Sequence, residues 1–369
     1  MTKMQKWSKV SKIFVLVLVC AFIVSACGSN QAGTNGNGQE GAQSAAEPTA
    51  NTTQSANEEE AEDKQPSGKV VIYSAGPGGL AENIVEGFKA ETGLEVEQFQ
   101  ATTGKILARL EAEKNNPVAD VVVLASWPSG MALKNEGATQ SYTGAAQADK
   151  LYETWVDEER HLFGYSASAL GITYNTKLVD EPPTDWSDFA DPQWKDAVNI
   201  PDPSLSGSAL DFISGYLNQH GDKGWDMFEE LKNNGVALAG ANKEALNPVI
   251  TGAKSAVMAG VDYMAYSAIA KGEPVGIVSP ASGTVINPRP AMILKEAPNV
   301  ENAQLFIDYL LSDEAQGMVA AANLLPGRSD IRAHEDRTQV ADIKLLEYDW
   351  DWMMEQGPAI TNDFLELYK

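Results

Sequence analysis

The chain has 369 residues, with 51 acidic against 27 basic side chains and a formal net charge of −24. That balance argues against binding nucleic acid, where lysine and arginine must neutralise phosphates, and against a basic groove for anionic lipid. Net charge bears on partners and solubility, not on fold, and a local cluster of backbone N–H groups can still hold an anion. Both cysteines, Cys20 and Cys27, fall within the first 27 residues, so the rest of the chain has no disulfide, thiolate metal site or cysteine nucleophile.

Taken in chain order, Lys3, Lys6, Lys9 and Lys12 precede an apolar run from Ile13 to Val24, which ends in Val24-Ser25-Ala26-Cys27. A basic stretch, a short apolar core and small residues before a cut site make a secretory signal. The run falls short of the ~20 apolar residues that span a bilayer. The Val-Ser-Ala-Cys end resembles the lipobox of bacterial lipoproteins. That resemblance implies that Cys27 receives a diacylglyceryl group, becomes the mature N-terminus and anchors the protein to a membrane, since two acyl chains suffice for stable anchoring. Removing residues 1–27 takes away four lysines and no acid, which lowers the charge from −24 to −28. Residues 28–67 are Gly, Ser, Thr, Asn, Gln, Ala and Glu with almost nothing large and apolar, a composition that cannot offset its ordering entropy. They read as a disordered tether, whose r.m.s. span is roughly 35 Å.

From Lys69 the pattern changes. Lys69–Ser74 is a β-rich run, and Leu80, Ile84, Val85 and Phe88 follow with helical spacing until Thr92-Gly93. Leu94–Phe99 is a second strand, Thr102-Thr103-Gly104-Lys105 opens a second helix, and Ala119–Leu124 is a third strand apolar enough to be buried on both faces. This alternation predicts a parallel, doubly wound α/β sheet, with ligands beyond the carboxyl ends of the strands. Further on, Gly164–Tyr174 is β-prone, Asn199–Pro203 ends a strand, and Ser206-Gly207-Ser208 opens a helix. Val236–Leu238, Ala256–Met258 and Val275–Val278 are strand candidates. Thr284–Ile286 and Ala291–Leu294 read as two short strand pieces before an amphipathic helix, Val300–Leu311. The aromatic and acidic stretch Tyr348–Met354 reads as a C-terminal helix on the outside of a lobe.

Several loops carry ligand chemistry. Ser74-Ala75-Gly76 lies between a strand and a helix start, where glycine lets backbone approach a ligand and free N–H groups attract an anion; a plain tight turn is the other reading. Thr102, Thr103 and Gly104 combine hydroxyls with helix N–H groups. Lys105 either adds a charge to a ligand or sits on a solvated face. Ser206, Gly207 and Ser208 are the counterpart in the second half. Ser126 and Trp127 follow the third strand, with Trp127 either the floor of a cleft or a boundary aromatic. Asp262 and Tyr263 suit a ligand with an amine or hydroxyl, the carboxylate taking the cation. Arg328 fits a structural ion pair, with hinge or cleft placement also open.

The order of Val71–Gly76, Glu91–Val96, Ala119–Val122, Gly171–Asn175, Asp202–Ser208, Ala270–Pro274, Phe306–Glu314 and Leu325–Asp330 resembles the extracellular solute-binding proteins of ABC importers. The matching branch contains the ferric-ion, 2-aminoethylphosphonate, phosphosugar and thiamine binders. The resemblance implies a type II periplasmic-binding-protein fold: two doubly wound α/β lobes joined by crossover strands, with hinge closure on one small-molecule ligand. It also implies an ABC permease and ATPase as partners. On this reading residues 68–167 form the first part of lobe 1, 168–282 lobe 2, 283–329 the return to lobe 1, and 330–369 C-terminal helices on a lobe. The protein is expected to be an extracytoplasmic monomer without a cofactor. Where ferric binders of this branch carry two adjacent tyrosines, this chain has Tyr263-Met264, which favours an anionic solute, a phosphonate or phosphorylated molecule, over iron. No resident metal site is expected.

Enzyme readings find little support. His161, His220 and His334 stand in no metal spacing, and no G-x-S-x-G elbow appears. No residue is singled out as catalytic. A secreted hydrolase, and a sensor presenting its ligand to a kinase, remain the alternatives from other classes.

Overall fold

The computed structural model describes residues 66–369. The signal segment, Cys27 and all but the end of the expected tether lie outside the described residues. Lobe 1 begins with β1 (Lys69–Ser74), α1 (Gly78–Thr92), β2 (Glu95–Gln100), α2 (Thr103–Ala112), β3 (Val121–Val123), α3 (Trp127–Asn135) and the short β4 (Thr139–Gln140). Leu80, Ile84 and Phe88 form the buried stripe of α1, which ends where Gly93 takes the left-handed conformation at φ 75° and its N–H reaches the Lys89 carbonyl. The long β5 (Phe163–Asn175) leads into β6 (Val198–Pro201), α4 (Gly207–His220), α5 (Asp222–Asn233), β7 (Ala237–Ala239), α6 (Asn242–Ile250), β8 (Ala256–Val261), α7 (Asp262–Ala270) and β9 (Val275–Val278). The chain returns along β10 (Ile286–Leu294), followed by α8 (Val300–Leu310), α9 (Asp313–Ala321), β11 (Leu325–Pro326) and α10 (Trp350–Leu367).

The strand order is β2-β1-β3-β10-β5-β8-β6-β7, with β4 on β10 and both β9 and β11 on β5. The pairings of β1 with β2 and β3, and of β6 with β7 and β8, are parallel; those of β10 and β5 are antiparallel. Strand β5 pairs with β10 and β11 up to Ala169, then with β8 and β9 from Leu170 on, so it passes from one sheet into the other. Two α/β lobes joined by crossover strands result. Phe88, Phe306 and Tyr309 pack on one face of the lobe 1 sheet, and Tyr73, Trp127 and Met292 on the other. Trp186, Phe212, Phe228 and Phe364 centre lobe 2.

Two features depart from expectation. Thr284–Ile286 and Ala291–Leu294 are not separate strand pieces; from Ile286 the strand runs straight through Asn287-Pro288-Arg289-Pro290. Proline cannot donate to a ladder and is tolerated at bulges, and the register shifts between Arg289 and Pro290. The C-terminal helix touches both lobes, not one: α10 lies against α3 and against α4, and Trp350 packs on both cores.

Candidate ligand site

The loops singled out in the sequence fall at strand ends and helix starts, and the structure brings several together. Ser74 is buried and its Oγ accepts from the Gly76 N–H at 3.1 Å. A Cβ on Gly76 would stand 2.9 Å from the Tyr165 hydroxyl, so glycine permits that approach. Pro77, at the N-cap of α1, offers no side-chain cap. Thr103 Oγ1 accepts from the Ala125 N–H at 3.1 Å, while Thr102 Oγ1 is buried with no hydrogen-bond partner among the described residues. Gly104 and Gly207 mark where the lobes touch: a side chain on Gly104 would collide with the Ser204 carbonyl, and one on Gly207 would come within 2.8 Å of the Ala125 carbonyl. The N-termini of α2 and α4 therefore meet across the lobes. Lys105 is exposed.

Other predicted residues are already engaged. Ser206 Oγ accepts from the Ala209 N–H at 3.2 Å, and Asn242 Nδ2 donates to Ser206 at 3.0 Å and to Ser208 at 3.1 Å. Ser126 donates to Asp211 at 2.7 Å and accepts from the N–H and hydroxyl of Ser129. Its one proton and both lone pairs are thereby used. Trp127 is 4% exposed within the lobe 1 core, a packing residue more than an open floor. Asp262 is engaged on one side only. Its Oδ2 takes a 2.5 Å ion pair from Arg337, while its Oδ1 is buried with no hydrogen-bond partner among the described residues. Burial pushes the Asp262 carboxyl up and the Arg337 guanidinium opposes that shift. Arg328 is a structural ion pair, held by Asp313 and Asp330.

The strongest feature was not visible as a motif. In the antiparallel pairing of β5 with β10, Ser168 stands opposite Asn287 and Ser166 opposite Arg289. Directly opposed residues share a face. All four are buried, and Ser166 Oγ, Ser168 Oγ, Asn287 Oδ1 and the Nε and Nη1 of Arg289 have no hydrogen-bond partner among the described residues. Arg289 is 2% exposed and forms no ion pair there. Buried polar groups are normally satisfied, and a buried charge normally has a counter-charge. Five orphaned atoms on one face of the crossover strands thus mark a place built for a polar guest.

Around that row stand two phenols. The guanidinium carbon of Arg289 lies 5.2 Å from the centre of the Tyr263 ring. Tyr165 is the residue skipped where the register shifts, and such bulges re-aim a side chain. Burial pushes both phenols up and Arg289 pulls them back, which keeps them neutral donors at physiological pH. Asp262 feels both Arg337 and Arg289, and of these two only Arg337 is hydrogen-bonded to it. Arg289, unlike Arg337, forms no ion pair with any carboxylate among the described residues, which is chemistry for holding an anion. Among the described residues no group of three His, Cys, Asp or Glu side chains is placed to hold a metal. A cavity of about 850 Å³ lies elsewhere, between α2, α3 and α10, lined by Leu107, Leu110, Leu133, Met353 and Pro358. It shares no residue with the Arg289 row and has none of its polar donors.

Two α/β lobes on crossover strands, with an unmatched cation between them, define a binding protein of the type II periplasmic class. Residues 116–356 match the profile of the bacterial extracellular solute-binding proteins, and the chain belongs to that family. Its members are binding components of ABC import systems, which deliver small molecules to a permease and ATPase from the outer side of the membrane. The chain is 25% identical over 269 residues to a putative 2-aminoethylphosphonate-binding periplasmic protein of Salmonella paratyphi A, covering 70% of this chain and 77% of the relative. It is 25% identical over 270 residues to iron uptake protein A1 of Synechocystis, covering 69% and 74%. The periplasmic binding protein AfuA of Actinobacillus pleuropneumoniae, solved with fructose-6-phosphate bound, shares the fold with a TM-score of 0.76 at 23% identity, covering 81% of this chain and 98% of that one.

Proposed function

We propose that this protein captures a small anionic solute, a phosphonate or phosphorylated molecule, between its lobes and delivers it to an ABC permease. The observation that carries the reading is Arg289, buried without a counter-charge beside the orphaned hydroxyls of Ser166 and Ser168. An oxyanion on Arg289 would satisfy its free nitrogens, as charge-assisted hydrogen bonds do most strongly. Tyr165, Tyr263 and the Ser74–Gly76 loop adjoin the row and are assigned to the rest of the ligand. Thr102, Thr103, Gly104, Ser206, Gly207 and Ser208 supply the opposed helix N-termini. Ser126, Trp127 and Asp262 are assigned to shaping the site from behind. The reading takes lobe boundaries at residues 68–167, 168–282 and 283–329, a division supported by the change of β5 partners after Ala169.

Thermal unfolding with 2-aminoethylphosphonate, fructose 6-phosphate and ferric citrate tests this. A true ligand at 100 times its Kd adds ~2.7 kcal/mol. Stabilisation by ferric ion alone, with neither phosphorus compound active, would overturn the reading. A ferric reading draws on the paired phenols of Tyr165 and Tyr263, since hard cations take anionic oxygen. Against it stand the raised phenols and the fixed positive charge of Arg289.

The reading includes a lipid anchor at Cys27, with residues 28–67 as its tether and the mature protein a monomer. The Cys27→Ala variant is expected to bind ligand normally and to leave the membrane fraction. Unaltered fractionation would exclude the anchor.

A further inference from the structure

Asp211 on α4 is fully buried, yet no cation pairs with it among the described residues. It belongs to lobe 2 and bonds outside it. Its Oδ1 accepts from Ser126 Oγ at 2.7 Å, at the start of α3 in lobe 1. Its Oδ2 accepts from Asn287 Nδ2 on the crossover strand β10, and the Trp127 N–H points at the carboxylate as well. Asp211 is therefore the one carboxylate in a three-way junction of α4, α3 and β10. The groups facing it are neutral: Ser126 and the Trp127 N–H from the start of α3, Asn287 from β10, and Tyr348 from the segment ahead of α10. The Tyr348 phenol is itself pushed up by burial and stays protonated. Arg289 shares the strand face two residues beyond Asn287 but forms no hydrogen bond or ion pair with Asp211. No charged side chain of α5, β8 or α10 contributes to its titration.

We infer that Asp211 is a proton-binding latch between the lobes, so that closure takes up a proton and is favoured as the medium becomes acidic. The physical cause is desolvation: parting the lobes returns the carboxylate to water, whereas closing them buries it among neutral donors that cannot repay a full charge. Burial raises its pKa from 3.8 to about 7 despite the bonds from Ser126 and Asn287. The sign follows. The closed form holds a proton that the open form lacks between these two values, so falling pH in that window shifts the balance to closed. From pH 8 to pH 6 the closed-to-open ratio rises by about tenfold. The inference rests on the lobes parting, not on what they bind.

The test needs no ligand. In the full-length chain with Cys20→Ser and Cys27→Ser, Lys89→Cys on α1 and Lys232→Cys on α5, both exposed, carry a fluorophore pair for single-molecule energy transfer. The expected result is a closed population that grows about tenfold relative to open between pH 8 and pH 6, and a flat profile in the Asp211→Asn variant. A flat profile with Asp211 in place, one unchanging distance at every pH, or an undiminished slope in Asp211→Asn would each overturn the latch. Should Asp211→Asn fold poorly, Asp211→Ser serves as the second non-titrating variant.

Discussion

In the segment after β11, Arg328 and Arg337 are buried and all three nitrogens of each guanidinium find acceptors, whereas Arg289 on β10 is equally buried and its guanidinium makes no hydrogen bond among the described residues. Arg328 bonds to Asp313, Asp330 and the Leu311 carbonyl. Arg337 bonds to Asp262 and to the carbonyls of Asn323 and Thr338. The same side chain thus serves opposite ends. Where the chain supplies acceptors, arginine ties a late segment onto the lobes; where it withholds them, the charge is left for something that arrives from outside. Desolvating an unpaired charge is costly, and such strain in a native structure concentrates where a function needs it.

The contrast can be broken first at Arg337. Arg337→Met leaves Asp262 buried and unpaired, and is expected to cost ~3–5 kcal/mol in urea denaturation. Adding Asp262→Asn to that variant should recover most of the loss, because the orphaned charge goes with it. A cost below about 1 kcal/mol, the ordinary size of a surface change, would show that Arg337 is not structural. The contrast is sharpened at Arg289. Arg289→Met should leave urea stability unchanged or slightly raised, since no internal bond is lost. The same variant should weaken whichever phosphorus compound protects the parent protein by at least tenfold, in keeping with the ~2–5 kcal/mol attached to a buried charge pair. Destabilisation of Arg289→Met matching that of Arg337→Met would erase the distinction.

Much of the architecture was legible because it is local. Leu80, Ile84 and Phe88 announce α1, Gly93 ends it, and Ser206 caps α4 by accepting from Ala209. The alternation of such units implied two doubly wound lobes. The centre of the site was not legible, because it exists only in a pairing between distant strands. Arg289 meets Ser166 across 123 positions of chain, and neither residue carries a local signature. Its one signal was a charge between two prolines inside an apolar stretch, which reads more readily as a break between strands than as a bulged strand. The pairing of Asp262 was hidden for a related reason: its partner Arg337 lies 75 positions later, so a carboxylate engaged on one side looks wholly free in the sequence. The lobe-spanning position of α10 was likewise hidden, since an amphipathic helix records that it is covered and not by what.

One consequence belongs to Gly104 and Gly207. At both, peptide groups of opposite lobes come together with no side chain between them. The aperture of the shut molecule is thereby calibrated by main chain, which substitution elsewhere in the pocket cannot retune. A methyl at Gly104 would act as a shim, propping the two halves apart however well the guest fits.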